Sequence, residues 1–498
     1  MEDSYQKLRI YVSAFISGAS MMILEVMGTR MIEPFLGNSI FTWIGVLSVM
    51  MVSLSLGYFL GGRIADRKPH GTYVGLILIL SGISVALIPL FSHPALKFAS
   101  KFGMVYGPIP ASFLLLSIPS IFLAMVSPYL VKLNTKRLNF LGESSGNIYT
   151  VSTLGSILGT LLAGFVIIPN FGIHATLFSL SLILLVNGAL FLGKVGLILV
   201  VLGLVVNFAI PQPANFEPIF DEVTLYETTS ASQYMRVADL PNRGVRLLLV
   251  GHGAHNEMPL NSIDPLLGYP AYQKLVYTLL PNIKKALFIG LGGGVMPSDM
   301  RRKTNADITV AETDPSIVPI AKEFFNFFED EKLKVEIADG RLFLSNSNET
   351  YDYIVVDAYL GPLTSFHTST VEFLDELKKH LSPGGLVFVN IISSIEGEKA
   401  GLFKSIYKTY KSKFKNIYVF SVLYPTNFTK SENVVLFATD SNYGDKETFV
   451  SLFNASSDGE AELATHYYNG PVDTSSYPLL TDDFAPVEFI SIGGYNYS

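Results

Sequence analysis

Ala286-Leu287-Phe288-Ile289-Gly290-Leu291-Gly292-Gly293-Gly294 is the stretch that decides the fold of the second half of this 498-residue chain. Four apolar residues in a row read as a strand buried on both faces, and the glycines after them as a turn that lets backbone approach a ligand closely. Downstream the pattern repeats. Asp307–Ala311 reads as a strand ending at Glu312, Pro315–Phe325 as a helix, and Lys334–Ile337 as a strand ending at Asp339-Gly340. Tyr353–Val356 is a strand ending at Asp357, and the helix Thr370–His380 leads through Pro383-Gly384-Gly385 to the strand Leu386–Asn390. Strands alternating with helices predict a doubly wound parallel sheet, a Rossmann-like α/β domain over residues 282–498. Upstream, Val223–Glu227, Tyr234–Asp239 and Arg246–Val250 predict a small antiparallel sheet, followed by a helix over Tyr269–Leu280, in a subdomain of residues 213–281.

The chemistry of such a sheet gathers at the strand ends. Gly290, Gly292 and Gly293 would bring backbone against a ligand. Glu312 is placed to take both hydroxyls of a ribose, with Thr313 beside it. Asp339, next to Gly340, could read an adenine amino group, and Asp357 faces the same crevice. Singly, a glycine turn is often only a tight turn and a strand-end carboxylate only a helix cap. Four strand ends in register point together to a nucleotide-type ligand, with dinucleotide binding as the alternative.

The first half is a different material. Met1–Gln212 carries 12 Lys and Arg against 6 Asp and Glu, and the remaining residues carry 23 against 36. Seven apolar stretches are candidate spans: Ile10–Arg30, Ser39–Gly61, Val74–Phe91, Pro108–Val131, Ile148–Ile168, Ala175–Leu192 and Val195–Ile210. Most approach the ~20 residues that a bilayer requires. Residues 1–212 thus read as a polytopic helical membrane domain, ended by Pro211-Gln212-Pro213 and the linker Asn215–Phe220. The first stretch is too long for a cleavable signal peptide and contains Glu25 and Arg30.

Lys7, Arg9, Arg63, Arg67, Lys68, Lys132, Lys136 and Arg137 fall on one side of the spans, and Arg30, Lys97 and Lys101 on the other. This bias predicts a cytoplasmic N-terminus in the inner membrane. An even number of spans would keep the catalytic half cytoplasmic, and seven would not; the even count is favoured. Glu25, Arg30 and Glu33 are either functional charges or a structural ion pair. Gly155, Ser156 and Gly159 read as small residues for close helix packing. Gly61-Gly62-Arg63-Ile64-Ala65-Asp66-Arg67-Lys68 is similar to a cytoplasmic loop of major-facilitator transporters.

The acidic second half excludes a nucleic-acid partner, which would require a basic face. The absence of cysteine removes disulfides, thiolate metal sites and a cysteine nucleophile. His252 and His255, in Gly251-His252-Gly253-Ala254-His255-Asn256, lack a third ligand, so no metal is expected.

At these residues the chain resembles the polyamine aminopropyltransferases, the spermidine synthase family, in their membrane-integrated form. The resemblance spans about Val223–Ala438 and rests on Gly290–Gly294, Glu312, Asp339-Gly340 and the loop Asp357-Ala358-Tyr359-Leu360-Gly361-Pro362. Gln233 in Ser232-Gln233-Tyr234 matches a residue contacting S-adenosylmethionine (SAM), and the tail Leu480–Glu488 resembles that of membrane-integrated members. The resemblance implies binding of SAM or its decarboxylated form as substrate, release of 5′-methylthioadenosine, Asp357 and Tyr359 in catalysis, and a possible homodimer. His252, His255 and Glu257 would lie near the small-molecule acceptor, and His367 would cap the site or the next helix.

Three departures stand out. Gly293 occupies the place of an Asp in soluble members, Leu360 that of a second carboxylate, and Tyr269-Pro270-Ala271 that of a Tyr-His-Glu stretch. A cationic amine needs carboxylates to hold it and a base to deprotonate it. The reading favoured by these absences is a SAM lyase, in which the substrate's own carboxylate attacks its γ-carbon to give homoserine lactone. The alternative is aminopropyl transfer to a polyamine, with Glu257, Asp264 or Tyr359 holding the amine. A methyltransferase, or a transporter or sensor with a nucleotide-binding domain, would also use this architecture.

Overall fold

The computed structural model describes residues 2–37, 39–135, 140–167, 171–209, 221–230, 233–250, 253–261, 266–360, 363–454 and 459–491. It divides into two compact units, Met1–Glu217 and Pro218–Ser498.

In the first unit, helices α1 (Glu2–Leu36), α2 (Ile40–Arg67), α3 (Gly71–Ser100), α4 (Pro108–Asn134), α5 (Leu141–Leu162) and α6 (Ile173–Leu192) precede the shorter α7 (Lys194–Ala209). Six helices among the described residues are long and apolar enough to cross a membrane, where seven stretches had been candidates. The seventh stretch forms α7, only 16 residues long. The Gly61–Lys68 stretch is not a loop: α2 runs to Arg67, because Arg63-Ile64-Ala65-Asp66 carries no helix breaker.

Contact between these helices uses small residues and hydrogen bonds. A Cβ on Gly155 would overlap the Phe15 carbonyl of α1, and Ser156 Oγ donates to the Gly18 carbonyl at 3.2 Å. Likewise Ser181 Oγ donates to the Gly82 carbonyl at 2.8 Å, joining α6 to α3. Arg30 Nη1 and Glu33 Oε2 pair at 3.2 Å one turn apart, which favours the structural reading of these two charges.

The second unit opens with a four-stranded antiparallel sheet in the order β1 (Val223–Thr229), β2 (Tyr234–Leu240), β3 (Val245–Val250), β4 (Gly253–Pro259). The sequence indicates only three of these strands. Gly253-Ala254-His255-Asn256-Glu257-Met258-Pro259 lacks β-branched residues and becomes a strand by pairing with β3. A 3₁₀ turn and α8 (Gln273–Leu279) follow.

The main sheet contains β5 (Lys285–Ile289), β6 (Asp307–Glu312), β7 (Leu333–Ile337), β8 (Tyr351–Val356), β9 (Leu381–Ser393), β10 (Asn416–Ser421) and β11 (Glu432–Thr439). Its order is β10-β11-β9-β8-β5-β6-β7. The five strands from β9 to β7 are parallel, as predicted, whereas β11 runs antiparallel to β9 and β10. Side chains alternate between faces. Phe288, Tyr353, Val355, Phe388 and Phe437 are buried in one layer, and Leu287, Ile289, Ile354, Val356, Val387 and Leu436 in the other. Helices α9 (Val295–Lys303), α10 (Ile317–Phe324), α11 (Gly340–Asn346), α12 (Val371–Lys379) and α13 (Gly401–Lys411) follow β5, β6, β7, β8 and β9 respectively.

Candidate active site

Backbone bonds tie the strand ends together. Gly290 N–H donates to the Ala311 carbonyl at 2.9 Å, and Asp357 N–H to the Ile289 carbonyl at 3.0 Å. Gly290 (φ +99°) and Gly292 (φ +53°) adopt left-handed backbone. A Cβ would strike the Asp357 carbonyl at the first and Asn256 Oδ1 at the second, so this turn accepts only glycine.

A cavity of about 270 Å³ lies above these ends. It is close to the lower bound for small-molecule sites, on the order of 300 Å³. Gln233, Gly290, Gly292, Glu312, Thr313, Asp339, Gly340 and Asp357 all line it, so eight of the expected binding residues converge.

At the β6 end, Glu312 is buried. Its Oε2 accepts from Leu291 N–H at 2.9 Å and its Oε1 from Asp314 N–H at 2.8 Å. Burial pushes its carboxyl above the usual range, and these bonds offset part of the rise. Each oxygen keeps acceptor capacity, so a vicinal diol could be held. Ser230 Oγ bonds Asp314 Oδ2 and accepts from Gln233 N–H at 3.0 Å, fixing the turn that presents Gln233. Gln233 Oε1 is buried without a hydrogen-bond partner among the described residues. A buried orphan acceptor on a cavity wall fits a ligand that brings an N–H or O–H.

Asp339 caps α11. Its Oδ1 accepts from Arg341 N–H and Leu342 N–H, each at 3.0 Å, and its Oδ2 meets His367 Nε2 at 2.8 Å. Burial would raise its carboxyl, but the Leu342 N–H and the His367 contact outweigh it and hold the carboxyl below the usual range. Asp357 stands at the other side. Tyr269 Oη donates to Oδ2 at 2.6 Å and Asn390 Nδ2 to Oδ1 at 2.9 Å, while Asn433 Nδ2 supports Asn390 Oδ1 at 2.9 Å. Desolvation pushes the Asp357 carboxyl up, and the two donors only partly reverse this.

Other expectations are corrected. Gly293 does not line the cavity: its N–H bonds Asn256 Oδ1, and the Phe325 ring stands where a Cβ would project. Glu257 pairs with Arg243 at 3.0 Å and does not reach the cavity, since alternation along β4 turns it away from Asn256. His255 does line it, from β4. His252, Asp264, Gly361-Pro362 and the linker Asn215–Phe220 lie outside the described residues, as does the side chain of Tyr359. Among the described residues no group of three or more His, Cys, Asp or Glu could hold a metal.

Sequence reasoning missed Asn256, Asn390 and Asn433. Asn390 carried a signal, a polar residue ending the buried strand Leu386–Asn390. Asn433 carried none.

The model of the spermine/spermidine synthase domain matches residues 272–447. Polyamine aminopropyltransferase 2 of Aquifex aeolicus is 25% identical over 432 residues, covering 83% of this chain and 84% of that protein. Spermidine synthase 1 of Hyoscyamus niger is 30% identical over 226 residues, 42% of this chain and 69% of the relative. Among solved structures, a probable spermidine synthase from Corynebacterium glutamicum matches at 16% identity with a TM-score of 0.40, over 53% of this chain and all of that one. The chain belongs to the spermine/spermidine synthase family.

Proposed function

We propose that the unit Pro218–Ser498 transfers the aminopropyl group of decarboxylated SAM to an amine and releases 5′-methylthioadenosine. Family membership supports the reaction type, and the observation that carries the assignment is Asp357, a carboxylate held by neutral donors in the same cavity as Glu312 and Asp339. Glu312 takes the ribose diol, and Gln233 offers its free acceptor. The acceptor's nitrogen lone pair attacks the aminopropyl carbon bound to sulfur. The C–S bond breaks with its electron pair going to sulfur, which loses its positive charge. Asp357 attracts the acceptor's ammonium and takes the proton that the nitrogen must lose; its raised pKa brings it closer to a useful base.

The intramolecular cleavage that gives homoserine lactone is a second reading. It is favoured by one observation: the cavity wall beyond Asp357 presents Asn390, Ile392 and Asn433, which carry no charge to hold a distant ammonium. One experiment separates the two. Purified protein is incubated with decarboxylated SAM plus putrescine or spermidine, and separately with SAM alone, and products are read by mass spectrometry. Amine-dependent methylthioadenosine supports transfer. Methylthioadenosine with homoserine lactone from SAM alone replaces transfer with cleavage.

We further infer that the six long apolar helices of the first unit insert in the inner membrane with a cytoplasmic N-terminus. Six crossings return the chain to its starting side, keeping the second unit with cytoplasmic substrates. The chain has no cysteine, so Ser476→Cys introduces a single label site on an exposed residue. Labelling by an impermeant maleimide only after permeabilisation is the expected outcome. Labelling of intact cells would reverse the topology.

A further inference from the structure

His367 stands in a short 3₁₀ turn, Phe366–His367-Thr368, and its ring lines the cavity beside Asp339. Its Nδ1 meets Ser365 Oγ at 3.0 Å and its Nε2 meets Asp339 Oδ2 at 2.8 Å. A carboxylate oxygen only accepts, so Nε2 carries the proton. The turn is itself clamped. Arg341 Nη1 donates to the His367 carbonyl at 3.2 Å while its guanidinium grips both oxygens of Asp482, at 2.7 and 2.6 Å. Asp482 also accepts from Thr370 Oγ1 at 2.7 Å, and the Leu480 carbonyl accepts from Val371 N–H at 2.9 Å. The segment around Leu480–Asp482 therefore holds the wall on which His367 sits.

The consequence lies in how many acceptor positions are left. An ionised carboxylate offers about four lone-pair sites. At Asp339, Arg341 N–H and Leu342 N–H take two on Oδ1, and His367 takes one on Oδ2. One site remains, on the oxygen that His367 fixes at the cavity. A carboxylate so fixed accepts one N–H donor and repels a carbonyl oxygen.

We propose that His367 is a positioning residue that determines nucleobase specificity. By occupying and orienting Asp339 Oδ2, it makes the pocket select a base with an exocyclic amino group over one with an oxo group at the same place. The inference rests on the nucleoside reading given under Proposed function. Without His367 the oxygen gains a second open site, the carboxylate can hydrate and turn, and discrimination declines.

The test measures binding of 5′-methylthioadenosine and 5′-methylthioinosine to the full-length detergent-purified chain by calorimetry, with steady-state kinetics alongside. Wild type should prefer the adenine compound. His367→Ala should weaken its binding and compress the preference, each by about tenfold, the scale of one hydrogen bond to a charged group. KM for the nucleoside substrate should rise while kcat stays within about twofold, because His367 touches no reacting atom. His367→Gln places an amide N–H near the former Nε2 and should restore most of the preference. Asp482→Asn, which loosens Arg341, should move binding in the same direction as His367→Ala. An unchanged preference in His367→Ala overturns the proposal. So does equal loss of both ligands in the Ala and Gln variants with a lowered melting temperature, which would make the role purely structural. Wild type that forms methylthioadenosine but binds both nucleosides equally overturns it too, leaving the proposed reaction standing. Wild type that neither binds nor forms the adenine nucleoside defeats the proposed reaction itself.

Discussion

Asp357→Asn is the perturbation that most directly tests the assigned chemistry. The substitution keeps shape and removes charge. Asn390 Nδ2 can still donate to the remaining carbonyl oxygen, and Tyr269 Oη, now facing an amide N–H, can reverse its role from donor to acceptor. Both contacts survive, weakened from hydrogen bonds to a charged group, about 1.5–3 kcal/mol each, to neutral ones of about 0.5–1.5 kcal/mol. Against that loss stands the relief of desolvating a carboxylate, the same effect that raises the Asp357 pKa. The two oppose each other, so global stability should change by less than about 1 kcal/mol. Catalysis has no such offset. Loss of a positioned base costs typically 10²–10⁴-fold, or about 3–5 kcal/mol in the barrier. The assay follows methylthioadenosine release from decarboxylated SAM with saturating amine, beside calorimetric binding of methylthioadenosine, which lacks the attacking nitrogen. The expected result is a kcat reduced at least a hundredfold with product affinity within about threefold. A kcat within threefold of wild type would refute the role of Asp357.

Three further outcomes follow from the same geometry. Because the Asp357 carboxyl lies above the ordinary carboxylate value and must be ionised to act, kcat/KM should fall as pH drops through that raised pKa; Tyr269→Phe removes a donor that lowers it, so the acid limb should move to higher pH in a pH–rate profile. Gln233→Ala removes the buried acceptor and should weaken methylthioadenosine binding about tenfold without lowering the melting temperature, since Oε1 bonds none of the described residues. Gly290→Ala forces a Cβ onto the Asp357 carbonyl at φ +99° and should destabilise the second unit by at least about 2 kcal/mol, seen as a melting point lower by several degrees.

Much of this site was legible because its parts are local. A buried apolar strand followed by glycines, and acidic residues closing later strands, depend on neighbours in sequence, so Gly290, Glu312, Asp339 and Asp357 could be placed without coordinates. What escaped depends on pairings distant in sequence. Asn256 reaches the glycine turn from a strand whose composition argues against one, 37 residues upstream of Gly293. Asn433 arrives on β11, the antiparallel strand inserted between β9 and β10, 43 residues after Asn390. Glu257 was assigned to the site by the company it keeps in sequence, and period-two alternation on β4 turns it toward Arg243 instead. The favoured even count agrees with the six long apolar helices among the described residues, and the seventh candidate stretch is the one that falls short. Val195–Ile210 is apolar enough to cross, but its helix is too short.

The distribution of partners among the cavity carboxylates points to a division of labour. Asp339 has its charge answered by the N-terminus of α11 and by His367, which in the proposed reaction suits it to reading a ligand rather than reacting. Glu312 is answered by two backbone N–H groups and welds the turn after β5 to the end of β6. Among the described residues Asp357 has a phenol and an amide as side-chain partners, neutral donors that orient the carboxylate without cancelling its charge. In a site of low effective dielectric that uncancelled charge attracts a cation far more strongly than it would in water. In the proposed transfer the substrate's sulfonium and the protonated acceptor are both cations, and the acceptor nitrogen must give up a proton for a C–N bond to replace the C–S bond. A single unneutralised carboxylate can serve both, first drawing them together and then taking the proton that transfer releases. On this argument the neutral asparagines do not mark a defunct site. They keep Asp357 aimed while leaving its charge available, a role that a lysine or arginine in either position would abolish.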